Sequence, residues 1–85
     1  MNFNEYQKDA LKTANTEVLT TEQCLVNSAL GLNGEAGEVA DVIKKWQFQG
    51  HAIDKIKIIK ELGDIMWYVS LGAYACGVTL EEVAT

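Results

Sequence analysis

Four carboxylates in two equally spaced pairs are the residues of this chain with the most chemistry to offer. Glu35 and Glu38 stand in Leu30-Gly31-Leu32-Asn33-Gly34-Glu35-Ala36-Gly37-Glu38, and Glu61 and Asp64 in Lys60-Glu61-Leu62-Gly63-Asp64. On a helix, residues three apart share a face about one turn from each other. Two like charges so placed repel, and Gly31, Gly34, Gly37 and Gly63 each cost a helix roughly 0.5 to 1 kcal/mol relative to alanine. Both penalties occur twice, which points to a cation that offsets them. Oxygen ligands with no nearby His or Cys select hard divalent ions, Mg2+ first and Mn2+ second. Mg2+ takes few carboxylates and keeps several waters, so four carboxylates fit two or more ions with open positions better than one closed site. A single Glu pair at this spacing is ordinarily a solvated helix face. A di-iron bundle would need Glu-x-x-His on two helices, and the one histidine, His51, falls in a connector.

The elements that must position these pairs are helical. Tyr6, Ala10, Leu11 and Ala14 mark a first helix from Asn4 to about Asn15. Thr20 with Gln23 forms a capping box that opens a second. Leu25, Ala29, Leu32, Ala36, Val39, Ile43 and Trp46 follow a four-three spacing, the seam of a helix packed nearly parallel to partners in a bundle. From Thr21 to about Gln49 that helix extends roughly 40 Å. Glu35 borders the seam, and Glu38 lies on a second line with Gly31 and Val42, where the glycines let another backbone or a ligand come close. Gly50 suits the left-handed position that ends a helix, and Asp54 is an N-cap for a third. The third helix has its seam at Ile58 or Ile59, Leu62, Ile65 or Met66, Val69, Ala73 and Cys76, with Lys57, Glu61, Asp64 and Tyr68 on a neighbouring line. Gly77 closes it. Thr79 and Glu82 cap a fourth that stops at Thr85 after less than two turns. So short a capped helix implies that the natural protein continues. Counted from the connector, Glu61 and Asp64 match Glu38 and Glu35 in level within about a turn if the two long helices pack antiparallel.

Eighty-five residues form one domain, and 48% hydrophobic residues are more than a lone small bundle hides, so homo-oligomerisation is expected. A net charge of -5 excludes a nucleic-acid surface, which needs clustered Lys and Arg. No run reaches the roughly 20 apolar residues of a membrane span. Cys24 and Cys76, each within an apolar helical pattern, read as buried thiols of a cytoplasmic protein.

The chain from Leu30 onward resembles the MazG-like nucleotide pyrophosphohydrolases, an all-α superfamily that includes dimeric dUTPases and dCTP pyrophosphatases. The resemblance rests on Gly34-Glu35-Ala36-Gly37-Glu38, Lys44-Lys45, and Glu61-Leu62-Gly63-Asp64-Ile65-Met66-Trp67-Tyr68. It implies an all-α antiparallel bundle, residues 1–85 as a single such domain lacking the end of its last helix, and assembly as a homodimer or dimer of dimers. The implied activity is Mg2+-dependent hydrolysis of a nucleoside triphosphate between the α and β phosphates, giving monophosphate and pyrophosphate and clearing surplus nucleotides. Glu35, Glu38, Glu61 and Asp64 would be the metal ligands, one of them free to orient the attacking water. Lys44, Lys45, Lys57 and Lys60 are candidates for the phosphates, although lysines near a helix C-terminus are also favoured by the helix dipole. Tyr68 is a candidate for hydrogen bonding or stacking on the nucleotide, as the tyrosine of related dCTP enzymes is, or else an interface aromatic. Asn33 is a weaker candidate for sugar or base. Trp46, on the seam of the second helix, and Trp67, placed on the other side of the third helix from the carboxylates, read first as packing or subunit-contact residues, with base stacking as a second reading for Trp46, and His51 reads as a loop residue. The rival to the enzyme is a non-catalytic helical module that keeps the fold for regulation or contact with other proteins.

Overall fold

A computed structural model describes all 85 residues as four helices without a strand. They are α1 (Phe3–Leu11), α2 (Thr21–Phe48), α3 (Lys55–Ala75) and α4 (Leu80–Ala84). The starts follow local chemistry. Thr20 and Gln23 exchange hydrogen bonds in a capping box at α2, Thr79 and Glu82 do so at α4, and Asp54 accepts the amide of Lys57 at α3. Gly50 and Gly77 end the two long helices with φ of 73° and 75°, a conformation glycine adopts without a Cβ clash. Helix α1 stops at Leu11, earlier than the apolar spacing predicts. The chain instead runs through turns over 12–18, pivoting on Asn15 at φ 58°.

Helices α2 and α3 form an antiparallel pair. Ser28 meets Tyr68 and Gly72 at one end, Glu35 meets Glu61 and Asp64 in the middle, and Val42 shares a cavity wall with Lys57 near the connector. Small residues allow the close approach: a Cβ on Gly72 would sit 2.5 Å from Ser28 Oγ. The compact core lies at this end, where Ala14, Cys24 and Leu71 are buried and Leu11, Leu19, Trp67 and Ala75 pack around them.

Gln7 ties the short helices to the pair. Its Nε2 donates to the carbonyls of Ser70 and Val78, each at 3.3 Å, and its Oε1 accepts the amide of Leu80 at 3.0 Å. Asn4 accepts the next amide, that of Glu81. A buried polar side chain thus gives the first amide of α4 a partner and bridges the carbonyl of Ser70, inside α3, to that of Val78 in the turn after it.

Two expectations are corrected. Within the chain, α2 meets α3 along Cys24, Ser28, Gly31, Glu35 and Val42, not along its most apolar stripe; Leu25, Ile43 and Trp46 are 47%, 43% and 43% exposed, and Ala29 and Ala36 are exposed too. On α3, Ile59, Leu62 and Met66 are likewise exposed, while Leu71 and Ala73 are buried. The smallest side chains set the closest approach and so decide which faces meet. Cys24 is fully buried as expected, but Cys76 is exposed, because it caps the C-terminus of α3 beside Gly77; both are free thiols.

Candidate metal centre

Three of the four carboxylates converge. Glu35 from α2 and Glu61 and Asp64 from α3 each offer an oxygen, and these oxygens lie within 4.8 Å of one another. Glu61 is buried, and Glu35 and Asp64 are half-buried. Glu38, one turn along α2 toward the connector, is exposed on the rim and outside this cluster. The antiparallel register explains the difference. The contacts at Ser28 and Gly31 place Glu35, rather than Glu38, opposite the α3 pair.

The electrostatics are those of a site short of positive charge. The Glu35 carboxyl is pushed up to about 7 by its hydrogen bond to Glu61, then by burial, then by the charges of Glu61 and Asp64, with Lys60 opposing. Glu35 Oε2 is buried with no hydrogen-bond partner, an arrangement that folded proteins rarely leave unfilled. The nearest cation is Lys60, whose Nζ stands 3.7 Å from Glu61 and 3.6 Å from Asp64 but whose side chain is largely in solvent. Asp64 first and Glu61 second hold its ammonium above the ordinary lysine range. An all-oxygen donor set with an unpartnered buried oxygen fits a hard divalent ion.

Aromatic residues frame one side. Glu35, Asp64, Trp67 and Tyr68 line a cavity of about 380 Å³. Trp67 is therefore not on the far side of α3 from the carboxylates, as the sequence reading placed it. Trp67 and Tyr68 follow Asp64 by three and four residues, the two spacings that set a side chain beside it on a helix, so the placement was legible. The Trp67 indole Nε1 also donates to Thr13 Oγ1 at 3.3 Å. Gly31 admits the ring of Tyr68 rather than a backbone or ligand, whereas Gly34, Gly37 and Gly63 face open space.

Toward the connector, Val42, Lys45, His51, Ala52, Asp54 and Lys57 line a second cavity of about 220 Å³. Lys45 pairs with Asp41 at 2.8 Å, which raises the lysine and lowers the aspartate from their usual values. His51, read as a plain loop residue, thus joins two lysines. Lys44 and Asn33 are exposed and line neither cavity, and neither does Trp46.

Sequence reasoning missed the contribution of α1. Tyr6 reaches across to α3, its hydroxyl donating to the carbonyl of Gly63 at 3.4 Å. Burial first, and the charge of Asp64 second, raise its phenol above the ordinary range. The helical spacing of Tyr6 with Ala10 signalled packing, but nothing in it named the partner.

An antiparallel pair of helices that brings carboxylates together is a frame able to hold a divalent ion. Residues 23–85 match the MazG nucleotide pyrophosphohydrolase domain, and the chain belongs to that family. No curated protein and no solved structure matches the chain. The matched stretch takes in α2 from its third residue, α3 and α4 but not α1, which supplies Tyr6 and Gln7.

Proposed function

We propose that the protein hydrolyses a nucleoside triphosphate, ribo or deoxy, to the monophosphate and pyrophosphate, using Mg2+ or in its place Mn2+, and so removes surplus nucleotides. One observation carries this reading: Glu35, Glu61 and Asp64 converge around a buried, unpartnered oxygen of Glu35 in a chain of this family. These three would hold the ion, with Glu38 joining from the rim. A divalent ion there supplies neutralisation of phosphate charge and a more acidic attacking water. The protein's own part is positioning, which is most of what phosphoryl transfer asks of an enzyme. Tyr6 braces Gly63, the residue before Asp64, while Lys60 lies over the α3 carboxylates. Lys45, which also pairs with Asp41, and Lys57 share a cavity with His51 and Asp54 and are the candidates for the phosphate tail, and Tyr68 stands at the other side for the nucleoside. Lys44, Asn33 and Trp46 have less support as substrate contacts, because they stand apart from both cavities.

The apolar stripe on α2 and the exposed Ile59, Leu62 and Met66 on α3 support assembly as a homodimer or dimer of dimers, since so much exposed apolar surface is unusual for a monomer. No helix is long and apolar enough to cross a membrane, which accords with a cytoplasmic nucleotide enzyme.

Incubating the protein with a panel of NTPs and dNTPs, with and without Mg2+, and measuring pyrophosphate release tests the activity. Metal-dependent release is expected. Folded, oligomeric protein that turns over none of the panel would leave only the non-catalytic module. Light scattering on the eluting protein reads the assembly, and a monomer at micromolar concentration would refute the proposed oligomer.

A further inference from the structure

Tyr6 joins α1 to α3 at the level of the carboxylates. Its hydroxyl donates at 3.4 Å to the carbonyl of Gly63, and that carbonyl belongs to the peptide unit whose amide is that of Asp64. A peptide unit is planar and turns as one body. Whatever holds the Gly63 carbonyl therefore also holds the backbone from which the Asp64 carboxylate projects.

Little else steadies that point. A Cβ on Gly63 would meet nothing within 4 Å, so residue 63 brings no packing of its own. Asp64 is half-buried, and its ion-pair partner Lys60 stands 3.6 Å away with most of its side chain in water, a pairing that fixes little. Tyr6 has firmer support. Its neighbour Gln7 is buried, with hydrogen bonds to Ser70, Val78 and Leu80, and Asn4 binds both the backbone amide and the carboxylate of Glu81. Helix α1 is thus a fixed base from which Tyr6 reaches Gly63. The hydroxyl is near enough for the Asp64 charge to act on it, yet it gives its proton to the backbone, which leaves the Asp64 oxygens to an ion.

We infer that Tyr6 is a positioning residue of the ion site: through the Gly63–Asp64 peptide it sets Asp64 opposite Glu35, and α1 is thereby part of a site whose family match begins only at residue 23. The inference rests on the metal reading above. It makes ion binding and the docking of α1 reciprocal, since each must strengthen the other by the same factor.

The test is Tyr6→Phe, which keeps the ring and removes the hydroxyl. Mn2+ is titrated without nucleotide, its free concentration read by electron paramagnetic resonance, at a temperature where wild type and variant are both fully folded. A dissociation constant raised about 3- to 10-fold is expected, the worth of one ordinary hydrogen bond. A role in packing alone would lower the denaturation midpoint and leave that constant unchanged, which overturns the inference. If the variant fails to fold, wild type decides: Mn2+ should slow amide exchange in α1, and exchange there indifferent to the ion overturns the inference equally. Should wild type bind no Mn2+, the metal reading falls by itself. Positioning is then read in the ion-free chains, where Tyr6→Phe should speed amide exchange around Asp64 relative to that around Ser70, which Gln7 holds. An unchanged ratio refutes it.

Discussion

The same two helices behave differently at two levels of one interface. Around Ser28 the contact is closed: Cys24, Ser28, Ser70 and Leu71 are buried, and the buried hydroxyls and Gln7 all find hydrogen-bond partners. Two turns along α2, at Glu35, three acidic groups crowd together, Glu35 Oε2 is the one buried side-chain polar atom without a partner, and Gly34 and Gly37 face open space. The closed end satisfies its polar groups and fixes the register. The open end inherits that register, which brings Glu35 opposite Glu61 whatever the repulsion. Strain at the site is thus sustained by packing elsewhere in the pair.

The sharpest way to break the comparison is to empty the open end. Glu61→Ala or Asp64→Ala should cut turnover by more than about 100-fold, because loss of a mere outer partner of a ligand already costs about 10- to 100-fold. Helicity by circular dichroism should be retained, since the closed end is untouched. Glu38→Ala, on the rim, should act chiefly by raising the Mg2+ concentration needed for half-maximal rate. If the Asp64 variant unfolds or keeps full activity, the carboxylates serve structure and not chemistry.

Breaking the closed end should do the reverse. Gln7→Ala strands the amide of Leu80 and removes two donated bonds. An unsatisfied buried donor costs about 1 to 3 kcal/mol, which for a domain of this size lowers Tm by several degrees per kcal/mol. Activity per folded molecule should survive if α1 still docks through Asn4 and Tyr6. A Gln7 variant as stable as wild type would mean that α1 and α4 dock by other contacts.

Much of this was legible in the residues. Caps at Thr20, Asp54 and Thr79 and glycines at 50 and 77 are local signals, and local signals set helix boundaries. The carboxylate pairs were visible too, because a three-residue spacing fixes a face. What spacing does not fix is which face meets which helix. The apolar stripe through Leu25, Ile43 and Trp46 is the stronger pattern, yet the α3 contact runs through Ser28 and Gly31, where small side chains permit close approach. The same blindness separated Trp67 from the site and left Tyr6 without a partner. Both depend on the rotation of α3 about its axis, which pair contacts decide and single-helix periodicity does not.

Acidity sharpens the comparison without any substrate. In the ion-free chain the Glu35 carboxyl sits at about 7, above its unfolded value. Between those values the folded state holds a proton that the unfolded state has lost. Its contribution to stability is therefore full below the unfolded value and is lost as pH rises through the folded one. With the metal chelated, the denaturation midpoint should be higher at about pH 5 than at about pH 8 relative to a Glu35→Gln chain, in which this slope is absent. Saturating Mg2+ should flatten the slope, since the ion takes over the role of the proton. Parallel pH profiles for the two chains would show that the three carboxylates do not share a proton.

The smallest effect has the opposite sign to the rest. Gly37 lies between Glu35 and Glu38 inside α2, and a Cβ there would meet nothing within 4 Å. Helix propensity alone then predicts that Gly37→Ala stabilises the chain by about 0.5 to 1 kcal/mol, read as a small rise in the denaturation midpoint. Retaining glycine where alanine stabilises the helix is economical only if the open space serves something outside the single chain, either the substrate or a second copy. The two are separable. If the space belongs to the substrate, Gly37→Ala gains stability, keeps the oligomer and loses turnover; if it belongs to a partner copy, the variant shifts toward monomer by light scattering. A variant that gains stability and changes neither would show that the open face of α2 at this level is ordinary solvated helix, and the contrast between the two ends of the interface would then rest on the carboxylates alone.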